Sequence, residues 1–177
     1  NGGTLEANPT ADMSVGMQGL SGRQFVSTLT NTSQIDFSAT AASTRVDTTI
    51  NINPFSTATT AIQWVGTINI TNPGNTTFFI NSDDASRLFI DGQLLVMNEG
   101  GHGAQEFSNT VNLSAGLHDI RLDYVNNAAG LIVLSYTPFG GAKQVIPASV
   151  LFQAEANTLA GATNYMTLPN TVNLTAN

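Results

Sequence analysis

Between Ala61 and Ile70 the apolar residues fall on every second position: Ile62, Trp64, Ile68 and Ile70 share one parity, with Gly66 among them. A period of two is the mark of a strand with one face in a core. Other stretches repeat the signal. Thr77-Phe78-Phe79-Ile80 reads as one strand and Arg87-Leu88-Phe89-Ile90 as the next. Asp91-Gly92 then forms a hairpin turn, since Gly takes positive φ without steric cost, and Gln93–Met97 returns. Thr44–Asn53 reads as a half-buried strand, with Val46, Ile50 and Ile52 opposite Arg45, Asp47 and Asn51, ended by Asn53-Pro54. Thr110–Leu113, the turn Ser114-Ala115-Gly116 and Leu117–Val125 form a second hairpin. Leu131–Tyr136 follows, and Val145–Leu151 closes the series. Many short strands joined by turns predict an all-β fold, an antiparallel β-sandwich or barrel.

The domain occupies residues 20–152, with a first strand at Arg23–Leu29. Residues 1–19, with Gly2-Gly3, Pro9 and Gly16, read as an N-terminal strap or linker. Residues 153–177 read as an extension packed on the domain or a linker. Trp64 is expected to anchor the core, and Gly66 to leave room for its ring or for a crossing backbone.

Charge narrows the partners. The net charge is −7, and the five basic residues, Arg23, Arg45, Arg87, Arg121 and Lys143, are spread along the chain. No basic patch exists, so neither nucleic acid nor an anionic membrane surface is an expected partner. There is no Cys, which excludes disulfides, thiolate zinc sites and Cys nucleophiles. No run reaches the ~18 apolar residues of a membrane helix, so no membrane insertion is expected. The chain opens at Asn1 with neither Met nor a signal peptide, which reads as a monomeric module cut from a longer protein. Low charge with abundant Thr and Asn suits an extracellular, cell-surface location.

Seven of the twelve acids lie between Asp83 and Asp123, and two of them are adjacent. Neighbours in a regular strand point to opposite faces, so Asp83 and Asp84 aim at one point only where the backbone bends. Two carboxylates side by side repel unless something positive sits between them. With so few cations in the chain, a metal ion is the natural candidate; the alternative is an Asp pair that merely caps a turn. The loop Asn98–Gln105 holds Gly100, Gly101, His102 and Gly103. His102 there is either a binding residue or simply solvated. His118 shares parity with Ile120, Leu122 and Tyr124 and is expected on the core side with a satisfied nitrogen.

The blocks Trp64-Val65-Gly66, Thr77 to Gly92, Val111 to His118 and Ile120-Arg121-Leu122-Asp123-Tyr124, closed by Val145-Ile146-Pro147 and Leu151, together resemble the PA14 domain. The resemblance covers roughly residues 20–152. It implies a β-sandwich or barrel of the kind found in bacterial and yeast adhesins, in anthrax protective antigen and in glycosidases. In the lectin-like members, including adhesins of the RTX type, it implies a Ca²⁺ site: Asp83 and Asp84 joined by a cis peptide, an Asn that falls on Asn126, and backbone carbonyls from about Ala128 and Gly130. Sugar hydroxyls complete the shell. A hard ion that takes six to eight oxygens suits such a set. On this reading Gly101 and His102 flank the sugar, Asn98 or Gln105 donates hydrogen bonds, and Phe107 or Phe139 offers an aromatic platform. The expected function is a calcium-dependent carbohydrate-binding module of a cell-surface adhesin, without catalytic activity. The alternatives are a structural or interaction module that binds no sugar, and an accessory domain of a glycosidase.

Overall fold

The structure, a computed structural model, describes residues 17–55, 59–128 and 130–154, with the side chains from 53 to 55 outside that description. Of the predicted strap at 1–19, residues 1–16 lie outside the described residues, as do residues 155–177 of the predicted extension at 153–177. The fold is all-β. One sheet runs in the order β2 (Ser43–Asp47), β1 (Leu20–Val26), β4 (Thr60–Ile70), β9 (Gly116–Asn126), β6 (Ser86–Ile90), β7 (Gln93–Asn98). The other runs β11 (Gln144–Val145), β10 (Gly130–Thr137), β5 (Gly74–Asp83), β8 (Gln105–Leu113). Two short strands share edges already in use: β3 (Asn51–Phe55) pairs with the first half of β10, and β12 (Leu151–Gln153) pairs with β4 beyond the reach of β1.

The alternation of β4 survives intact. Ile62, Trp64, Gly66, Ile68 and Ile70 are buried while Gln63, Val65 and Thr67 are half-buried. They meet Leu88 and Ile90 of β6 and Ile120, Leu122 and Tyr124 of β9 on the same side, and Phe78, Ile80, Ile132, Leu134 and Tyr136 from the facing sheet. Each such side chain contributes about 1.5–3 kcal/mol by leaving water. The Trp64 ring stacks on Tyr124 at 6.4 Å, and its Nε1 donates to Asp47 Oδ2 at 2.6 Å. The two glycines near it have separate uses. A Cβ on Gly66 would lie 2.3 Å from the Phe152 carbonyl oxygen, so Gly66 admits the backbone of β12; a Cβ on Gly22 would lie 2.9 Å from Trp64 Nε1, so Gly22 admits the ring.

One predicted strand is two. Thr44–Asn53 splits into β2 and β3, which belong to different sheets, and the chain crosses between them near Ile50. Ile50 is buried and its carbonyl accepts from Leu134 N at 2.8 Å, but Val46 is 51% exposed. Parity across residues 48–50 carries no meaning once the chain turns there. β1 likewise starts at Leu20 and stops at Val26, short of Leu29. The segment after it folds over the outer face of the first sheet, where Ile35, Phe37 and Ala41 cover Phe25, Ala61, Ala85 and Val125. Arg23 ties this strap down, donating to the Phe37 and Ala39 carbonyls at 2.9 and 2.7 Å.

The two ends of the described domain lie side by side. Gln18 bridges Phe152, Gln153 N donates to Met17 O at 2.9 Å, and Gly19 N donates to Leu151 O at 2.8 Å.

Candidate functional site

Three of the crossings from one sheet to the other lie together at one pole. β5 passes to β6 through Asp84-Ala85, β7 to β8 through residues 99–104, and β9 to β10 through residues 127–129. Strand registers hold the crossings together, pairing Asp83 with Leu131, Ser86 with both Tyr124 and Asn98, and Ser82 with Gln105. Backbone groups at a crossing leave both ladders and become free to bind side chains.

The Asp83–Asp84 peptide is cis. Asp84 is 8% exposed, and each of its carboxylate oxygens accepts one backbone N–H: Oδ1 from His102 at 3.0 Å and Oδ2 from Asn127 at 2.9 Å. One carboxylate thus joins two crossings to the third. Gly101 lies against it, since a Cβ there would sit 3.7 Å from Oδ1. Asn126 is fully buried on the inward parity of β9, and Gly130 packs so closely that a Cβ would lie 2.2 Å from the Asp83 carbonyl oxygen and 2.8 Å from Asn126 Oδ1. The structure therefore gathers Asp83, Asp84, Gly101, His102, Asn126 and Gly130. Ala128 sits exposed in the 127–129 crossing.

The site contains groups that sequence reasoning passed over. The Tyr124 hydroxyl donates to the Asp83 carbonyl oxygen and lies 3.3 Å from Asn126 Oδ1. Burial first, then the Asp84 and Asp83 carboxylates, push this phenol far above its ordinary range, so it remains a donor. Its parity with Asn126 was legible; what its tip reaches was not. Asn127, through its backbone N–H, was missed for the same reason. Beneath the pair, Ser82 and Ser86 share a hydrogen bond at 2.8 Å, Asn98 Nδ2 donates to Ser82 Oγ at 3.0 Å, and Gln105 Nε2 donates to Asn98 Oδ1 at 2.8 Å. Asn98 is 2% exposed. Its amide nitrogen donates inside the fold, which corrects its expected role as a sugar donor; Gln105 is exposed and gives one N–H to Asn98. Glu99, at the root of the glycine loop, accepts from Thr32 N at 2.9 Å and from Thr32 Oγ1, and lies 3.2 Å from Arg87 Nε.

The aromatic expectations divide. Phe139 rests on Gly74, the first residue of β5, nine residues and about 30 Å along the strand from Asp83; it is no platform for this site. Phe107 is exposed and pairs in register with Ile80, three residues before Asp83. His118 belongs to the far end. It is half-buried with both nitrogens satisfied, Nδ1 by Asp91 Oδ2 at 2.7 Å and Nε2 by the Ser114 carbonyl at 3.0 Å.

The electrostatics leave the pair uncompensated. Arg23 serves carbonyls, Arg45 pairs with Asp47, Arg87 with Glu99 and Asp123, Arg121 with Asp123, and Lys143 with Glu106. All five basic side chains are thus engaged elsewhere, and among the described residues neither Asp83 nor Asp84 has an ion pair. Asp123 shows the contrast: burial raises its carboxyl, and Gln63, Arg121 and Arg87 oppose the rise. No three acidic or imidazole side chains converge among the described residues, so any cation here would draw on two carboxylates, an amide oxygen and backbone carbonyls. That all-oxygen set fits a hard divalent ion such as Ca²⁺ and lacks the nitrogen and sulfur ligands that zinc prefers.

Comparison with known proteins agrees with this architecture. The anti-sigma-I factor RsgI3 of Acetivibrio thermocellus is 29% identical over 99 residues, covering 55% of this chain and 15% of that protein's length. The chain therefore corresponds to a small part of that relative. Among solved structures, an anti-sigma factor domain-containing protein from Clostridium clariflavum superposes with a TM-score of 0.67 at 27% identity, over 78% of this chain and 48% of that one. A PA14 sugar-binding domain from an RTX adhesin superposes with a TM-score of 0.69 at 16% identity, over 78% of this chain and 99% of that one; at that identity the likeness is one of fold. The family model of the PA14 domain matches residues 16–149, nearly the whole described sandwich, and the chain belongs to the PA14 domain family.

Proposed function

We propose that this domain is a calcium-dependent carbohydrate-binding module of a surface-exposed protein. The observation that carries the reading is the Asp83–Asp84 pair, with one carboxylate nearly buried and no cationic partner among the described residues. A buried carboxylate without a counter-charge is costly, and a bound divalent cation offsets that cost. Asp83 and Asp84 would hold the ion with Asn126 Oδ1 and the carbonyls of Ala128 and Gly130. Bound calcium supplies a position at which a vicinal diol replaces water. Asp84 holds His102 and Asn127 through the two amides that it accepts, so the walls of the site form around the same carboxylate. Gly101 and His102 form one wall, and Gly101 leaves that side open to a sugar ring. The fold shared with a PA14 sugar-binding domain supports the reading. It holds in either kind of parent protein, an adhesin or an anti-sigma factor.

Calorimetric titration tests it. Calcium-loaded protein titrated with simple monosaccharides should release heat that disappears in EGTA and in Asp84→Ala. Tight calcium binding without heat from any sugar would reduce the domain to a calcium-stiffened structural module. Absence of calcium binding would sink the reading.

A further inference from the structure

We propose that Tyr124 is a positioning residue for the calcium site, holding the Asp83 main chain and the Asn126 amide in place without touching the ion. The proposal rests on the calcium reading above. Tyr124 is fully buried in β9, two residues before Asn126 and on the same face. Its ring stacks on Trp64, whose indole is held by Asp47. The phenol therefore has a fixed base in the core and one proton to give. That proton lies against the Asp83 carbonyl oxygen, with Asn126 Oδ1 at 3.3 Å.

Two consequences follow for the site. The first is that the Asp83 main chain is held at its carbonyl, next to the Cα that carries the carboxylate. The second is that the same O–H, shared with Asn126 Oδ1 at 3.3 Å, favours an Asn126 amide turned oxygen-first. Gly130 closes in on the same two oxygens from the other side. A ligand oxygen already in place need not be ordered when the ion arrives, and binding keeps that ordering free energy. The aromatic ring supplies bulk to the core; the hydroxyl supplies the alignment.

Tyr124→Phe separates the two, because the Phe ring keeps the contact with Trp64. The expected result is a calcium Kd about tenfold weaker, the scale of one lost hydrogen bond to an oxygen that must then be ordered on binding. The calcium-induced rise in melting temperature should shrink in parallel. A purely structural tyrosine would lower the melting temperature equally with calcium and with EGTA and leave Kd unchanged, and that outcome overturns the proposal. A second comparison guards against indirect effects. In an Asn126→Ala background one of the two acceptors is already gone, so Tyr124→Phe should weaken calcium binding less than in the wild type; an equal loss in both backgrounds overturns the proposal. If wild-type protein binds no calcium, the functional reading fails first and this one with it. If it binds calcium and Tyr124→Phe binds as tightly, this inference fails alone.

Discussion

Gly130→Ala should damage the site more than any other single methyl group added at this pole. Gly130 pairs opposite Phe55 of β3, and its neighbour Leu131 opposite Asp83 of β5. The added Cβ would sit 2.2 Å from the Asp83 carbonyl oxygen, 2.8 Å from Asn126 Oδ1 and 3.1 Å from the Asp83 carbonyl carbon. Ordinary contact begins near 3.4 Å, so 3.4 − 2.2 = 1.2 Å must be found between two adjacent strands. Two of the three atoms are backbone, and the remaining one is a buried amide held beside Tyr124. Relief by side-chain rotation is therefore closed, and β10 must withdraw from β5 at its first residues. Such overpacking costs about 1–3 kcal/mol. The same Cβ also presses on Asn126 Oδ1, so calcium affinity should fall about tenfold or more, a further ~1.4 kcal/mol visible only with the ion present. Urea denaturation with and without calcium, beside calorimetric calcium titration, measures both. Gly103→Ala, with nothing within 4 Å of its Cβ, and Gly101→Ala, with Asp84 Oδ1 at 3.7 Å, serve as comparisons that should retain calcium affinity. Wild-type stability and calcium affinity in Gly130→Ala would refute the argument, because the close approach on which it depends would not exist.

Gly66→Ala should cost about 1–3 kcal/mol, because its Cβ would meet the Phe152 carbonyl oxygen at 2.3 Å and Leu20 Cδ2 at 2.6 Å; thermal melts should show β12 loosened, while calcium affinity remains. His118→Gln should matter more in acid than in base. Burial lowers the His118 pKa, but the Asp91 hydrogen bond, the Ser114 carbonyl and the Asp91 and Asp119 charges outweigh it, and the net shift is upward from 6.5. A raised histidine stabilises fully below its unfolded value and loses that contribution as pH rises through the folded one. The substitution should therefore cost about 0.5 kcal/mol near pH 5.5, the scale of a solvent-screened pair, and less near pH 8. A cost independent of pH, measured by denaturation at both values, would contradict the pairing.

The sandwich was legible wherever one strand crossed the core without interruption. β4 is the plainest case, since eleven residues with one buried parity leave no other solution. Reading failed where the chain changed sheets. Thr44–Asn53 keeps its apolar parity through a crossing, so it looks continuous although Val46 and Ile50 face different surroundings. The site was legible as a pair of charges with no local partner. The same residues could not reveal that three crossings meet there, because Asp84, His102 and Asn127 are brought together by registers between strands far apart in sequence. Asn98 was misread for a related cause: an Asn beside a glycine loop looks exposed, but the strand parity of β7 carries it inward to Ser82.

The adjacency of the two ends has a mechanical consequence. Tension drawn along the chain enters at Met17 and leaves at Ala154, so it loads the short zipper of Gln153 to Met17, Gly19 to Leu151 and the Gln18–Phe152 bridge. β12 pairs with β4 at Gly66–Ile68, whereas the site lies at the Thr60 end, six residues and about 20 Å away. Pulling would peel β12 from β4 one bond at a time and load the start of β1 between β2 and β4, while the Asp83–Asp84 pole stays unstressed. The candidate site and the seam that carries the tension thus belong to separate parts of the sandwich.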